Sequence, residues 1–182
     1  MIFGGTSAPV LYTQSNQVGA VVPYEVQGPN VQVFVQYQGQ TSLPLTLAIA
    51  AVAPGLITMD SSGAGQALAT NQNGVFNGAA QPAAVGSSIT VYVTGVGRTS
   101  PAGVDGLPSP SPGPIPYAAI TVMIGGQQGN VLSARGVPGQ LGLTQIGVQI
   151  PSGITPGNAV PIVVEMGGVS SPNSVTIAVS TN

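Results

Sequence analysis

An internal repeat is the feature that most constrains how this chain can fold, because a repeat defines the structural unit. Ile2-Phe-Gly-Gly5 recurs as Met123-Ile-Gly-Gly126, and Gln17-Val-Gly-Ala-Val-Val-Pro23 recurs as Gln145-Ile-Gly-Val-Gln-Ile-Pro151. Further matches follow in the same order: Val10-Leu11 with Val131-Leu132, Val31 to Val35 with Val160 to Val164, Gly39 with Gly168, Ser42-Leu-Pro44 with Ser171-Pro172, and Thr46 to Ala50 with Thr176 to Ser180. The chain therefore contains two copies of one unit.

The repeated segments alternate apolar and polar residues with a period of two, which is typical of half-buried strands. Val31 to Tyr37 and Ile89 to Thr94 show the alternation most clearly. Further strands are predicted at Val18 to Val22, Leu45 to Ala50, Ile120 to Ile124, Gln145 to Ile150, Val160 to Met166 and Ser174 to Val179, mostly separated by Gly, Pro, Asn or Ser. No window has helical spacing, so we predict an all-β protein. Its predicted core includes Val33, Val35, Ile89, Val91, Val93, Val148 and Val163.

Each copy reads as strand, Gly-Gly turn, short strand, strand ending in Pro, strand, turn and strand. This order is typical of the back half of an immunoglobulin-like sandwich. The segment Ala53 to Ala119 lies between the copies and supplies front strands only to the second. We therefore predict tandem immunoglobulin-like β-sandwiches with a boundary near Val52 to Gly55. Unit one, residues 1–52, lacks its front strands, and unit two, residues 53–182, is complete.

Charge is almost absent from the chain, which excludes several classes of function. Charged residues make up 3% of 182 residues, against about a quarter in ordinary soluble domains. Two arginines and a net charge of −2 cannot supply the phosphate contacts of a nucleic-acid-binding protein. The longest apolar stretch, Leu47 to Ile57, contains Pro54 and Gly55 and is shorter than the roughly 18 residues of a transmembrane helix. We expect no nucleic acid partner and no membrane-spanning segment.

Candidate catalytic groups are equally scarce, because the chain has no His, no Cys and no Lys. Four carboxylates remain: Glu25, Asp60, Asp105 and Glu165. The two aspartates stand before Ser or Gly, where an Asp side chain commonly bonds its own backbone in a turn. Asp-x-Asp spacing is missing, and zinc sites normally use His or Cys. We therefore predict no catalytic residues, no metal site and no cofactor.

Two polar or proline-rich segments leave alternatives open. Asn71-Gln-Asn-Gly74 and Asn77-Gly78 resemble a functional loop, but Asn-Gly is also a strong turn signal, and we favour the turn. The Pro-rich loop, residues 107–116, is either a polyproline II segment for a partner or an ordered crossing between sheets. Its Ser109 and Ser111 are candidate attachment points for O-linked glycan.

The chain resembles the Solibacter-type uncharacterized C-terminal domain family of secreted acidobacterial proteins, which is itself similar to the IPT/TIG branch of immunoglobulin-like folds. The resemblance covers nearly the whole chain and is carried by Ala8-Pro-Val-Leu-Tyr12, Asn16-Gln17, Val22-Pro23, Ala53-Pro-Gly-Leu56, Gly65-Gln-Ala67, Asn71-Gln-Asn-Gly74, Asn77, Pro82-Ala83, Tyr92-Val-Thr-Gly-Val-Gly97, Ile124-Gly-Gly126, Ala134-Arg-Gly-Val-Pro-Gly139, Gly142-Leu143 and Pro151. It implies extracellular β-sandwiches at the end of larger polypeptides and contributes no catalytic residues. The near absence of charge departs from the family.

These observations lead to two expectations of function. The first is an extracellular bacterial structural protein that assembles with itself, head to tail, into a filament or surface layer by strand complementation between subunits. The second is an adhesin-like or spacer module at the C-terminus of a larger secreted protein. Because Met-Ile-Phe-Gly-Gly does not resemble a signal peptide, a secreted form would be a mature chain or a piece of a longer one.

Overall fold

The computed structural model describes residues 1–181, which fold into strands and turns without a helix. Strands account for 49% of the chain, so the predicted all-β class is confirmed. Unit one contains the strands β1 Ile2–Phe3, β2 Thr6–Ser7, β3 Val10–Thr13, β4 Val18–Ala20, β5 Asn30–Phe34, β6 Gln36–Tyr37, β7 Gln40–Thr41 and β8 Leu45–Ala48. The predicted strands Val18 to Val22 and Leu45 to Ala50 are each two residues shorter in the structure.

The strands of unit two fall into two groups. The first group is β9 Gly55–Leu56, β10 Gly65–Gln66, β11 Ala69–Asn71, β12 Ala83–Ala84 and β13 Ser88–Thr94. The second group is β14 Thr99–Ser100, β15 Ile115–Pro116, β16 Ile120–Ile124, β17 Gln127–Gly136, β18 Thr144–Gln149, β19 Gly157–Met166, β20 Val169–Ser170 and β21 Val175–Ser180. We call residues 53–94, which carry β9 to β13, the front segment.

Eleven of the thirteen strands of unit two form one hydrogen-bonded system around a single core, and β14 and β15 pair only with each other within residues 1–181. The strand order is β10-β21-β19-β16-β17-β18-β13-β11, with β12 on β21, β20 on β19 and β9 on β13. Alternate residues of the long strands are fully buried, as in Ile89, Val91 and Val93 of β13. The front segment contributes to this core from both of its ends, and it pairs with both β18 and β21.

The sequence repeat is reproduced in the strand register. Phe3 pairs with Val33 in unit one, and the matching residues Ile124 and Ile162 pair in unit two. The register shift between Val10 and Tyr12 on β3 recurs between Val131 and Ser133 on β17. The Gly-Gly turn after the first strand of each copy has positive φ at both glycines, a conformation that favours glycine. Unit one therefore repeats the strand order and register of the back half of unit two, with β2 and β3 in the place of β17 and with β5 and β6 in the place of β19.

The predicted core is confirmed at five positions and wrong at two. Val33, Ile89, Val91, Val93 and Val148 are buried. Val35 is only half-buried, because β5 ends at Phe34 and the chain starts a separate hairpin at Gln36. Val163 is also half-buried. The apolar run Val160 to Met166 buries Val160, Ile162, Val164 and Met166, so Val163 lies on the opposite face of β19.

The core of unit one is small. It consists of Phe3, Val31 and Val33, with Met1, Ala8, Val26 and Ile49 packed against it. The larger core of unit two begins at Leu56, and Val52 packs against it from the preceding turn. Three buried side chains are too few to cover both faces of the surrounding sheets. Other apolar side chains of unit one therefore stay exposed to solvent.

Candidate functional site

The outer edge of β21 in unit two is covered by the front segment. β10 and β12 both run parallel to β21, at its beginning and its end. The backbone N–H groups of Gly65 and Ala67 donate to the carbonyls of Ser174 and Thr176, each at 2.8 Å. Further along, the Val85 N–H donates to the Ser180 carbonyl at 3.0 Å. Two short strands thus satisfy the two ends of this edge.

A buried asparagine satisfies the middle of the same edge. Asn77 Nδ2 donates to the carbonyl oxygen of Ala178 at 2.8 Å, and the Ala178 N–H donates to Asn77 Oδ1 at 2.8 Å. Asn71 Oδ1 and Gln66 Nε2 complete the hydrogen bonding of this amide. The side chain of Asn77 therefore takes the place of a strand residue between β10 and β12. We call this arrangement the asparagine clamp.

Sequence reasoning assigned Asn77 to a turn and missed the clamp. Asn77-Gly78 and Asn73-Gly74 look alike as dipeptides, but Asn73 is exposed and accepts only the nearby Val75 N–H at 3.1 Å. The difference depends on a contact with Ala178, 101 residues away. No local pattern could have identified it.

The matching edge in unit one, that of β8, has no partner strand among the described residues. β8 pairs with β5 on one side, in the same way that β21 pairs with β19, and it pairs with no other described strand. The Ile49 N–H donates to the Pro29 carbonyl on the β5 side at 3.0 Å. Backbone groups alternate in direction along a strand, so the groups of the preceding residue, Ala48, face outward. Ala48 is the repeat counterpart of Ala178, and no asparagine side chain within residues 1–181 bonds its backbone as Asn77 bonds that of Ala178.

A second edge of unit one is open in the same way. In unit two, β18 pairs with β17 on one side and with six residues of β13 on the other. Its counterpart β4 pairs with β3 alone in the part of the chain that the structure describes. Both edges that the front segment covers in unit two are therefore bare in unit one.

Side-chain exposure shows the same contrast at matched positions. Leu45 is 61% exposed where Val175 is 1% exposed, and Leu47 is 37% exposed where Ile177 is 0% exposed. On the β4 side, Val22 is 50% exposed where Ile150 is 1% exposed. We call the surface formed by Leu45, Leu47, Val22 and the edges of β4 and β8 the open face. Its side chains are as apolar as those of a protein core, but they are exposed to solvent.

Charge does not protect the open face. Edge strands of natural proteins are commonly guarded by charged side chains, especially lysine. Glu25 is the only charged side chain among residues 1–52, and it lies in an exposed turn outside β4 and β8. The open face is therefore a bare, uncharged surface with free backbone donors and acceptors at its edges.

The four carboxylates lie on different elements and have different surroundings. Asp60 forms the predicted turn, since its Oδ1 accepts from Ser62 N, Ser62 Oγ and Thr58 Oγ1. These hydrogen bonds, above all that of the Ser62 hydroxyl, lower the pKa of Asp60. Glu165 lies on β19 and Glu25 in a turn of unit one. Within residues 1–181, no group of three or more metal-ligating side chains occurs.

Asp105 has a role that the sequence did not indicate. Its Oδ1 accepts the backbone N–H of Tyr24 at 2.8 Å, so it joins the loop before residue 107 to unit one and not to its own turn. Gly103 lies under the Tyr24 ring, where a Cβ would collide with it. These contacts line an apolar groove between the two units, together with Pro9, Val21, Leu107 and Leu141.

The Pro-rich loop is held to the rest of unit two at Ser109. Ser109 is half-buried, and its backbone pairs with the turn at residues 139–140. Ser111 is exposed. Of the two candidate glycan acceptors, Ser111 is the accessible one.

No family model, curated protein or solved structure matches this chain. In the stretch from residue 1 to 181, no helix is long and apolar enough to cross a membrane.

Proposed function

We propose that this chain is a non-enzymatic extracellular structural protein. In this proposal its two units are tandem immunoglobulin-like sandwiches, and unit one is an acceptor that a strand from another subunit completes. Repeated head to tail, this contact builds a filament or surface layer. The resemblance to domains of secreted bacterial proteins supports a location at the bacterial cell surface.

The observation that carries the proposal is the paired exposure of Leu45 and Val175. The same position of the same repeat is bare in one unit and covered in the other. Full burial of one leucine side chain is worth about 1.5–3 kcal/mol. Covering Leu45, Leu47 and Val22, together with the free edge of β8, therefore gives a clear driving force for association.

The geometry of the open face favours an open polymer. Unit one presents the face, whereas unit two has the equivalent edges filled by its own front segment. A contact between the open face of one copy and a different surface of the next is heterologous and does not close on itself unless the rotation forms a ring. The near absence of charge also removes repulsion between subunits.

Association of the purified chain tests this proposal. We expect polymers in electron micrographs and fast-sedimenting species in analytical ultracentrifugation. Leu45→Lys, which places a charge on the open face, should reduce polymer formation at least about tenfold. Leu132→Lys is the matched control, because Leu132 is similarly exposed but lies on β17 of unit two and is not part of the open face. A wild-type chain that sediments as a monomer at high concentration contradicts self-assembly.

A second candidate, the adhesin-like or spacer module, is favoured by the number of front segments in the chain. The chain has two back halves but one front segment, and in a folded copy that segment is already inside unit two. In this case another polypeptide completes unit one, and the chain alone stays monomeric. The sedimentation experiment separates the two candidates.

A further inference from the structure

We infer that the open face of unit one accepts a polypeptide segment with the pattern of the front segment: a short strand parallel to β8, an asparagine that clamps Ala48, and a second short strand beside residues 49–50, which follow β8. The inference specifies the chemistry of the partner in the proposed strand complementation. It rests on that mode of association, but not on the donor being a second copy of this chain.

The edge of β8 resembles the edge of β21 in its pairing. Val31 pairs with Leu47 and Gln32 with Thr46 on β8, and the counterparts Val160 with Ile177 and Pro161 with Thr176 pair on β21. Over these pairs the two edges present their outward backbone groups in the same register, although β19 carries a register shift between Gly157 and Val160 that β5 lacks. A segment with the hydrogen bonds that β10 and Asn77 make to β21 therefore fits β8, and the place of β12 falls on the residues that follow β8.

The middle of the β21 edge is bonded by a side chain and not by a strand. On β21 the Ala178 N–H and carbonyl are both bonded by Asn77, which is buried. Ala48 offers the same donor and acceptor on β8. Among side chains in their usual protonation state at neutral pH, the amide of Asn or Gln supplies one donor and one acceptor side by side in this way. A donor with the front-segment pattern but an aliphatic residue in place of the asparagine would leave both groups of Ala48 unpaired after burial, which is costly.

The side chains of the donor must also fit the apolar residues of the open face. In unit two the front segment buries Leu56, Ala67, Ala69, Ala83 and alternate residues of β13 against the back half. The exposed Leu45, Leu47 and Val22 of unit one occupy the places of Val175, Ile177 and Ile150. A donor with small residues near β8 and branched aliphatic residues near β4 therefore fills the open face.

The synthetic peptide of residues 53–94 carries this pattern and is the probe. We expect it to bind the full chain, measured by isothermal titration or by fluorescence anisotropy of a labelled peptide. Asn77→Leu in the peptide and Ala48→Pro in the chain should each weaken binding about tenfold or more, because each removes hydrogen bonds at the clamp. Asn73→Ala in the peptide is the control and should leave binding within about twofold, because Asn73 contacts only its own turn.

The outcomes separate this inference from the proposed function. Binding that needs Asn77 supports the inference, and binding of this kind to a chain that is monomeric alone overturns self-assembly only. A chain that polymerises but shows no binding of the peptide, even from disassembled subunits, overturns the inference only. Binding that is equal for the Asn77→Leu peptide also overturns it.

A fusion provides a second arm in case the free peptide aggregates. Residues 53–121 placed directly before Met1 reproduce the spacing of unit two, where Val122 occupies the place of Met1. Amide exchange at Thr46 and Ala48 should slow about tenfold or more relative to the original chain, and Asn77→Leu in the added copy should reverse this at Ala48. Unchanged exchange at both amides would overturn the inference.

Discussion

Asn77 and Ala178 are joined by two hydrogen bonds of 2.8 Å, through which a side-chain amide completes the edge of a β-sheet. The contact lies between β10 and β12, which are themselves too short to pair along the whole of β21. A single buried side chain thus fills the gap that β10 and β12 leave along β21. The counterpart position of Ala178 in unit one is Ala48, on a strand that pairs only with β5 among residues 1–181.

The clamp predicts a large effect of Asn77→Leu on stability. The substitution leaves a buried N–H and a buried carbonyl of Ala178 without partners, at about 1–3 kcal/mol for each group. We expect urea denaturation to show unit two destabilised by about 2–5 kcal/mol. Asn73→Ala removes an exposed turn contact and should cost less than about 1 kcal/mol. Equal losses for the two variants would contradict a structural role of the clamp.

A serine occurs at matched positions in the two units, and we expect its replacement by alanine to cost more stability in unit two than in unit one. Val35 N–H donates to Ser42 Oγ and Val164 N–H donates to Ser171 Oγ, both at 3.0 Å. Ser171 is buried, whereas Ser42 is exposed. Ser171→Ala should lower the free energy of unfolding by about 1–3 kcal/mol, because the Val164 N–H loses its partner away from water. Ser42→Ala should cost less than about 1 kcal/mol, since water replaces the hydroxyl. The opposite order in thermal or urea unfolding would disprove this explanation.

The facing of β19 is tested by truncating two neighbouring residues. Ile162 is fully buried in the core of unit two, whereas Val163 is half-buried on the other face. Ile162→Ala should destabilise the protein by about 2–5 kcal/mol through lost burial and a cavity. Val163→Ala should cost less than about 1.5 kcal/mol. A larger loss from Val163→Ala would show that β19 is assigned to the wrong register.

The repeat is the part of the architecture that the sequence predicts best. Matching landmarks such as Gly4-Gly5 and Gly125-Gly126 predict matching turns, and the structure places them in matching registers. The facing of a continuous apolar run is harder to predict. Val160 to Met166 offers apolar residues at successive positions, so alternation alone cannot say whether Ile162 or Val163 faces the core.

The open face was predictable only in outline. The missing front strands follow from comparing the two copies, and this comparison already points to a bare edge. The asparagine clamp and the bond from Tyr24 to Asp105 were not predictable, because each joins residues far apart in sequence. Short polar side chains have the same local signature whether they close their own turn, as Asp60 does, or reach across the fold.

The hydrogen bonds around Asp60 predict how the stability of the folded protein changes at low pH. The hydroxyl of Ser62, the Ser62 N–H and the Thr58 hydroxyl all donate to Asp60 Oδ1, and they lower the pKa of this carboxyl from its ordinary value of 3.8. The folded state thus favours the ionised form more than the unfolded state does. The contribution to stability is fully present above the ordinary pKa and is lost as the pH falls through the folded pKa. Asp60→Asn should therefore lower stability at pH 7, and its difference from wild type should shrink as the pH is lowered below about 4. Urea unfolding between pH 7 and pH 2 measures this difference, and Ser62→Ala should reproduce part of the change by removing the principal donor. A difference that stays constant across that range would show that Asp60 acts without its charge.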